Sequence, residues 1–452
     1  MNACCAKGEI LILLGRRREA EECLRWALAR AEIFGLPEVL SAGAARVLGS
    51  LLRMMGSNDE ALKLLENARS VYSQAGDTGN EGAILVNLGS VHEVRNNYEM
   101  ALQCYREGYE LSKRAGNPRN MYSALCNLGN LSKNKGEYSE AVELLGKAMR
   151  LAQEMNDKRL VGVVVNNMGI IFREKGDFEE AMSCYQKRLE TAREIGDKMG
   201  VCIALCNLGV ANLDADRYQL AREQFQSLNK LAGEIGDKQA ISYAVGNLGL
   251  VHYELGDYHK ALEFCQRDLE LAVERGDKRD VAIALGSVAR AHQGLGHLDQ
   301  AKKCLDQAVE ICRGYGIKYY LCGYLHNLAE MQYDEGDMDK AMSLNEEAAE
   351  IATEISRPDV VFQTGLLRAK ADFKKDRSKA LAAIKGLIEK AEGETFKAEA
   401  LSALALLSDD ESLAMEAIGI YDRLYQSTER HLYRIRRDEL KSYFQGKANR
   451  PI

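Results

Sequence analysis

Along most of the chain, apolar positions return at three- and four-residue intervals, the period of a helix with one buried face. Residues 163–177, VVVNNMGIIFREKGD, show the pattern: Val164, Val165, Met168 and Ile171 share a face, and the charges gather toward the end. Gly176 suits the left-handed conformation that stops a helix. Asp177 then stands at an N-cap position with Glu180 three residues on, an acidic variant of the capping box. The following stretch puts Ala181, Cys184, Tyr185 and Leu189 on one inner face, and Gly196-Asp197 closes it. The pattern predicts two helices joined by a tight turn.

This hairpin recurs. VNLGSVHEVRNNYEMAL (86–102), CNLGNLSKNKGEYSEAV (126–142), NNMGIIFREKGDFEEAM (166–182), CNLGVANLDADRYQLAR (206–222) and GNLGLVHYELGDYHKAL (246–262) are versions of one segment, followed by GSVARAHQGLGHLDQAK (286–302) and HNLAEMQYDEGDMDKAM (326–342). Its alanine returns every forty residues, from Ala61, Ala101 and Ala141 through to Ala341. Ala20 stands one residue farther before this series, and Ala380 one residue closer behind it. Gly-Asp or Gly-Asn pairs end the units at Gly76, Gly116, Gly236 and Gly276, and Pro37, Pro118 and Pro358 fall at unit boundaries, where a missing N–H is tolerated. Gly169 and Ala181, small at fixed positions, let the two helices of a hairpin approach closely.

A small residue in the first helix, Gly then an aromatic at the turn, and Ala early in the second helix stand at Gly129, Gly136, Tyr138 and Ala141, and again at Gly249, Gly256, Tyr258 and Ala261. In these positions the chain resembles the tetratricopeptide repeat. The usual unit has about 34 residues; the longer unit here, with Asn-Leu-Gly-Asn at Asn127–Asn130, is similar to the Leu-Gly-Asn adaptors, the kinesin light chains and the bacterial peptide-sensing regulators. The resemblance implies an all-α fold, an α-solenoid in which helical hairpins stack into a right-handed superhelix with first helices lining a concave face. Hairpins of this size bury little alone, so stacking supplies the core.

The expected organisation is nine such units over 1–360, with boundaries near 41, 81, 121, 161, 201, 241, 281 and 321. Degenerate hairpins follow over 361–430, where Leu367 and Arg368 replace Leu-Gly and Ala380 survives, and a C-terminal helix and tail over 431–452. Residues 421–445 give the pattern of one long polar helix that caps the array or leads into a further domain. The apolar block Ile10–Leu14 is unusual for an end unit and points to a missing flank, an excised fragment or self-association there.

Two residues before each small anchor stand Asn87, Asn127, Asn167, Asn207, Asn247, Ser287 and Asn327, flanked by core positions. Asn is a poorer helix former than Ala or Leu, so something should offset the repeated cost. One reading is structural: each amide bonds the neighbouring unit and fixes register. The other is functional: an amide offers an acceptor and two donors, so a row of them can hold the C=O and N–H groups of an extended peptide. In the resembling families this position does contact partner backbone. Each bond contributes about 0.5–1.5 kcal/mol net, against about 1–2 kcal/mol to order each peptide residue. Specificity must come from neighbours on the same face. Asn130, Lys133, Arg173, Tyr253, Arg290 and Tyr333 are the chosen ones, with Glu254, Glu330 and Asp334 among the carboxylates of the later units. A partner acidic at one end and basic or aromatic at the other would suit them.

The remaining features narrow the class. A net charge of −7 over 452 residues gives no reason to expect nucleic acid, and Arg16–Arg18 and the Arg430–Lys441 cluster suit a solvated helix face. No stretch approaches the roughly 18 apolar residues of a membrane span, and the N-terminus lacks the order of a secretory signal. Twelve cysteines without a CxxC pair suit reduced side chains in a cytoplasmic protein. His92, His252 and His292 recur one per unit, whereas a metal centre needs ligands converging on one point. No phosphate loop or nucleophile–base arrangement is present, so neither catalysis, cofactor nor metal is expected. The chain is expected to be a non-enzymatic scaffold for a protein or peptide partner. The alternative is the sensing region of a larger signalling or transcriptional regulator.

Overall fold

The computed structural model describes residues 2–13 and 16–448; Leu14 and the tail residues 449–452 lie outside them. The described residues form α-helices and no strand. In order these are α1 (Asn2–Leu13), α2 (Arg17–Ile33), α3 (Glu38–Met54), α4 (Asn58–Gln74), α5 (Thr78–Val94), α6 (Tyr98–Arg114), α7 (Pro118–Asn134), α8 (Tyr138–Glu154), α9 (Lys158–Lys175), α10 (Phe178–Glu194), α11 (Lys198–Asp214) and α12 (Tyr218–Ile235). There follow α13 (Lys238–Glu254), α14 (Tyr258–Arg275), α15 (Lys278–Gly294), α16 (Leu298–Gly314), α17 (Lys318–Glu335), α18 (Met338–Glu354), α19 (Pro358–Asp372), α20 (Arg377–Lys390), α21 (Glu394–Ser408), α22 (Glu411–Thr428) and α23 (His431–Ala448). The chain divides into two compact units, residues 1–204 and 205–452. In both, consecutive helices pack on one another along most of the chain, the arrangement of an α-solenoid.

A backbone constraint sets the helix lengths. From Gly56 to Ser356 every twentieth residue has a positive φ. Glycine fills most of these positions; Asn96, Asn156, Asp216 and Ser356 fill the others. At Gly176 (φ 84) the turned chain lets Asp177 N–H donate back to Phe172 C=O at 2.9 Å, satisfying a carbonyl the helix leaves open. The pattern of caps departs from expectation at one place. Asp177 sits at the N-cap of α10 but its side chain makes no cap bond and pairs with Lys175 at 2.8 Å. Its short loop leaves that carboxylate facing the preceding helix end. Side-chain caps do form at many first helices: Asp77, Asn117, Asp157, Asp237 and Asp277 each accept a backbone N–H of the turn that follows.

Within a hairpin the two helices meet at the small anchor. A Cβ added at Gly89 would lie 2.5 Å from the Tyr105 ring, at Gly169 2.6 Å from Tyr185, and at Gly209 2.6 Å from Phe225. Tyr105, Tyr185 and Phe225 are fully buried. The second helix contributes its alanine at the same level, with Ala181 and its repeats fully buried. In the N-terminal unit a charged group also enters this core. Arg188 is 3% exposed and fills notches over Gly162 and Gly200, where a Cβ would approach it within 2.4 Å and 2.2 Å. It pairs with Asp197 at 2.9 Å, and Asp197 in turn caps the start of α11 through Gly200 N–H.

The ends differ from the sequence pattern. Leu11 joins the first core cluster and Ile12 packs partly against it, so the block is divided, and among its described side chains only Ile10 is mainly exposed. The segment 421–445 is two helices. Glu429 (φ 57) breaks it, α23 begins at His431, and Tyr421, Tyr433 and Leu440 are buried in a core formed with α21 and α22. The break lacks the usual glycine, which is why the pattern read as continuous.

Two measurements check these constraints. Gly169→Ala should lower the urea midpoint by an amount corresponding to about 1–3 kcal/mol, because the helices cannot separate without losing core contact. The same change in a Tyr185→Leu background should cost much less. Gly176→Ala should destabilise by about 1–2 kcal/mol, whereas Ser356→Gly should stabilise by up to about 1 kcal/mol, since an L-residue with a Cβ is strained in the left-handed region.

Candidate functional site

The asparagine row lies on odd-numbered helices: Asn87 on α5, Asn127 on α7, Asn167 on α9, Asn207 on α11, Asn247 on α13 and Asn327 on α17. All six are half-buried. Odd-numbered helices of successive hairpins also touch each other, α3 with α5, α5 with α7 and α7 with α9 in the N-terminal unit, and α13 with α15 and α17 with α19 in the C-terminal unit. Each unit is therefore narrower on the face that bears the row.

The amides are not used alike. Asn247 Nδ2 donates to Tyr243 C=O at 2.8 Å, within its own helix, and Ser287 Oγ does the same to Ile283 C=O at 3.3 Å. Asn87 Nδ2 is closed off from solvent with no partner among the described residues. Asn127 lines an open cleft of about 410 Å³ with Arg53, Ser90, Glu93, Tyr105 and Asn134. The Tyr105 ring is sealed in the core, but its hydroxyl reaches the cleft floor and donates to Glu93 at 2.8 Å. Burial pushes that phenol well above its ordinary range, so it stays a donor. Asn134 Nδ2 approaches the other Glu93 oxygen at 3.3 Å, and Lys133 on the same helix pairs with Glu174 of α9 at 3.0 Å. Arg173 and Asn130 are half-buried on the same odd-numbered helices. The N-terminal unit thus offers amides and a carboxylate within one cleft, with a fixed cation beside it.

The residues chosen in the later hairpins meet a different environment. Arg290 lies over the Tyr253 ring at 5.2 Å, and Tyr253 meets Tyr258 at 5.3 Å. Burial raises the phenols of Tyr253 and Tyr333. The chain's own C-terminal segment also comes here. Arg430 donates to Glu254 at 2.5 Å and 3.3 Å, and Glu254 is 6% exposed. The arginines of that segment divide: Arg430 pairs with Glu254 and Arg437 with Asp422 at 2.8 Å, whereas Arg434 and Arg436 are exposed as a solvated helix face requires. Sequence spacing could not show this, because the partners are up to 176 residues apart.

All twelve cysteines are free, and burial pushes Cys126 and Cys312 up to about 11 and Cys265 up to about 12. No helix among the described residues is long and apolar enough to cross a membrane.

Comparison with known proteins agrees with this geometry. The MalT-like TPR region matches residues 71–201, and tetratricopeptide repeat models match 239–314 and 2–32. The chain belongs to the tetratricopeptide repeat proteins. Among solved structures it is similar to a signal transduction ATPase with numerous domains and a tetratricopeptide repeat sensor from Pyrococcus horikoshii, at 15% identity and TM-score 0.53. That match covers 73% of this chain and 52% of the other, so the chain spans about half the length of that relative. A Rap protein complexed with competence and sporulation factor matches at 15% identity and TM-score 0.53, covering 78% and 98%. The quorum sensor NprR from B. thuringiensis matches at 14% and TM-score 0.56, covering 77% and 98%. At these identities the likeness is one of fold. No curated protein matches the chain.

The buried histidines set a pH dependence. Burial holds His326, His252 and His292 below the ordinary imidazole range; Glu330 and Asn345 oppose this at His326, and Asp257 at His252. The unfolded chain therefore binds more protons than the folded one below about pH 6.5. Stability should be full above that value and fall as pH drops from about 6.5 toward 5. His326→Gln should flatten part of the slope, read as urea midpoint against pH.

Proposed function

We propose that the chain is a non-enzymatic interaction module that holds an extended segment of a protein or peptide partner along its odd-numbered helices. The observation that carries the reading is the pair Asn127 and Asn167. Neither amide has a side-chain hydrogen-bond partner among the described residues, though both sit half-buried on core helices of adjacent hairpins. Half-buried amides that are neither bonded to protein nor among the closed-off polar atoms are open to solvent and ready as donors and acceptors. The structural alternative asks them to bond the neighbouring hairpin, and they do not. A segment lying across both would place its backbone on the amides and side chains near Glu93, Lys133 and Arg173. The Rap protein bound to competence and sporulation factor supports a peptide as the occupant.

A second reading is favoured by the internal contact at Glu254. A segment of the chain that already rests on the repeats is an element that a ligand could displace. That suits the sensing region of a larger regulator, as in the relative with a tetratricopeptide repeat sensor.

The test uses peptides selected from a displayed random library against the full chain. Asn127→Ala with Asn167→Ala should weaken their capture at least tenfold while leaving far-UV circular dichroism and the urea midpoint nearly unchanged. A large drop in midpoint with unchanged capture per folded molecule would return the asparagines to a structural role.

A further inference from the structure

The contact between Arg430 and Glu254 joins two turns of the C-terminal unit with four hairpins between them. One is the α22–α23 junction, where Glu429 reverses the chain; the other is the α13–α14 turn, where Gly256 (φ 82) does so. The approach is close. A Cβ added at Gly256 would lie 2.5 Å from the His431 ring, and that ring meets Tyr258 edge-on at 5.9 Å. Arg430 is further fixed by Tyr433, whose hydroxyl accepts from it at 3.3 Å and meets Thr395 at 2.9 Å. One turn further along α23, Arg436 stays open to water but stands among the carboxylates of Glu399 and Glu330, with Asp334 also feeling its charge. Burial raises the Glu399 carboxyl, and Arg436 is the first charge that opposes this. Glu254, Glu330, Asp334 and Glu399 come from α13, α17 and α21, all odd-numbered helices.

The first two turns of α23 thus present arginines and aromatic rings to a wall of carboxylates. This is the chemistry that the later hairpins demand of a partner, supplied by the chain itself. The fit is not sealed. A cleft of about 550 Å³, bordered by Arg222, His252, Asp257, Tyr425 and Glu429, runs beside the junction. Arg430 and Glu254 are largely shielded from solvent, and Tyr433 and Leu440 also hold α23 in place, so a competing helix must supply both an arginine and apolar or aromatic groups to exchange with it.

We propose that the carboxylate wall of Glu254, Glu330, Asp334 and Glu399 is a docking site for a basic, arginine-bearing helix, and that α23 is its internal occupant, which a partner helix of the same chemistry must displace. The proposal deepens the reading of the chain as a segment-binding module for the C-terminal unit, and its test does not involve Asn127 or Asn167. Displacement of α23 frees its arginines and exposes Tyr433, so binding at the wall is reported as a change at the C-terminal end.

The probe is a fluorescent synthetic peptide of residues 429–445, titrated into the full chain at low salt. Arg430→Ala with Arg436→Ala should speed amide hydrogen exchange of α23 at least tenfold while leaving α13–α18 protected. It should also raise the affinity for the peptide at least tenfold over the unmodified chain. Adding Glu254→Gln and Glu399→Gln should remove that gain. Should the double arginine variant lose helicity, a charge swap tests the same contact: Glu254→Arg alone should release α23, and Arg430→Glu in addition should restore its protection. Unchanged exchange of α23 in the arginine variant, or released α23 with no gain in peptide binding, would overturn the proposal. Failure of the asparagine test with success of this one would confine binding to the carboxylate wall.

Discussion

A ring or branched side chain resting where a β-carbon would otherwise stand is the contact on which this molecule depends. Tyr105 against Gly89, Tyr185 against Gly169 and Phe225 against Gly209 bring each pair of helices close enough to share one apolar layer. No single hairpin of this thickness excludes enough water to persist alone. The close approach lets the next hairpin settle on the same plane, so one steric relation, repeated, produces both the core and the row of half-buried amides beside it. Asn127 stands where it does because Gly129, two residues on, is pinned against Leu145.

The architecture was legible because it rests on short-range rules. Helix period, glycine at the left-handed positions and the forty-residue return of alanine all lie within one hairpin, and the structure follows them. Asp177 shows how a local rule fails: its position is a cap, but a lysine two residues back takes its carboxylate. Glu429 shows another failure. A break made by a residue that rarely adopts positive φ carries no sequence mark.

The candidate site was legible only in part. The spacing placed the asparagines on one set of helices, and the structure then distinguished them. Asn247 is committed to its own helix, Asn87 is shut in, and Asn127 opens on a cleft. Such differences depend on neighbouring side chains such as Tyr105, which lies on another helix. The contact of Arg430 with Glu254 could not be read at all, since it depends on how far the hairpins of the C-terminal unit curve together. The sequence pattern asked for a basic and aromatic partner there without showing that the chain carries one.

That curvature has a thermodynamic consequence. An array whose parts touch only their neighbours melts from its ends, each hairpin loosening independently of distant ones. Arg430 gripping Glu254 ties the last helix to one five hairpins earlier, so α13 through α23 form a circuit rather than a row. Opening any hairpin inside that circuit strains the tie, and loosening the tie lets the terminal hairpins fray singly. The contacts at this junction thereby couple the unfolding of hairpins that a simple row would leave independent.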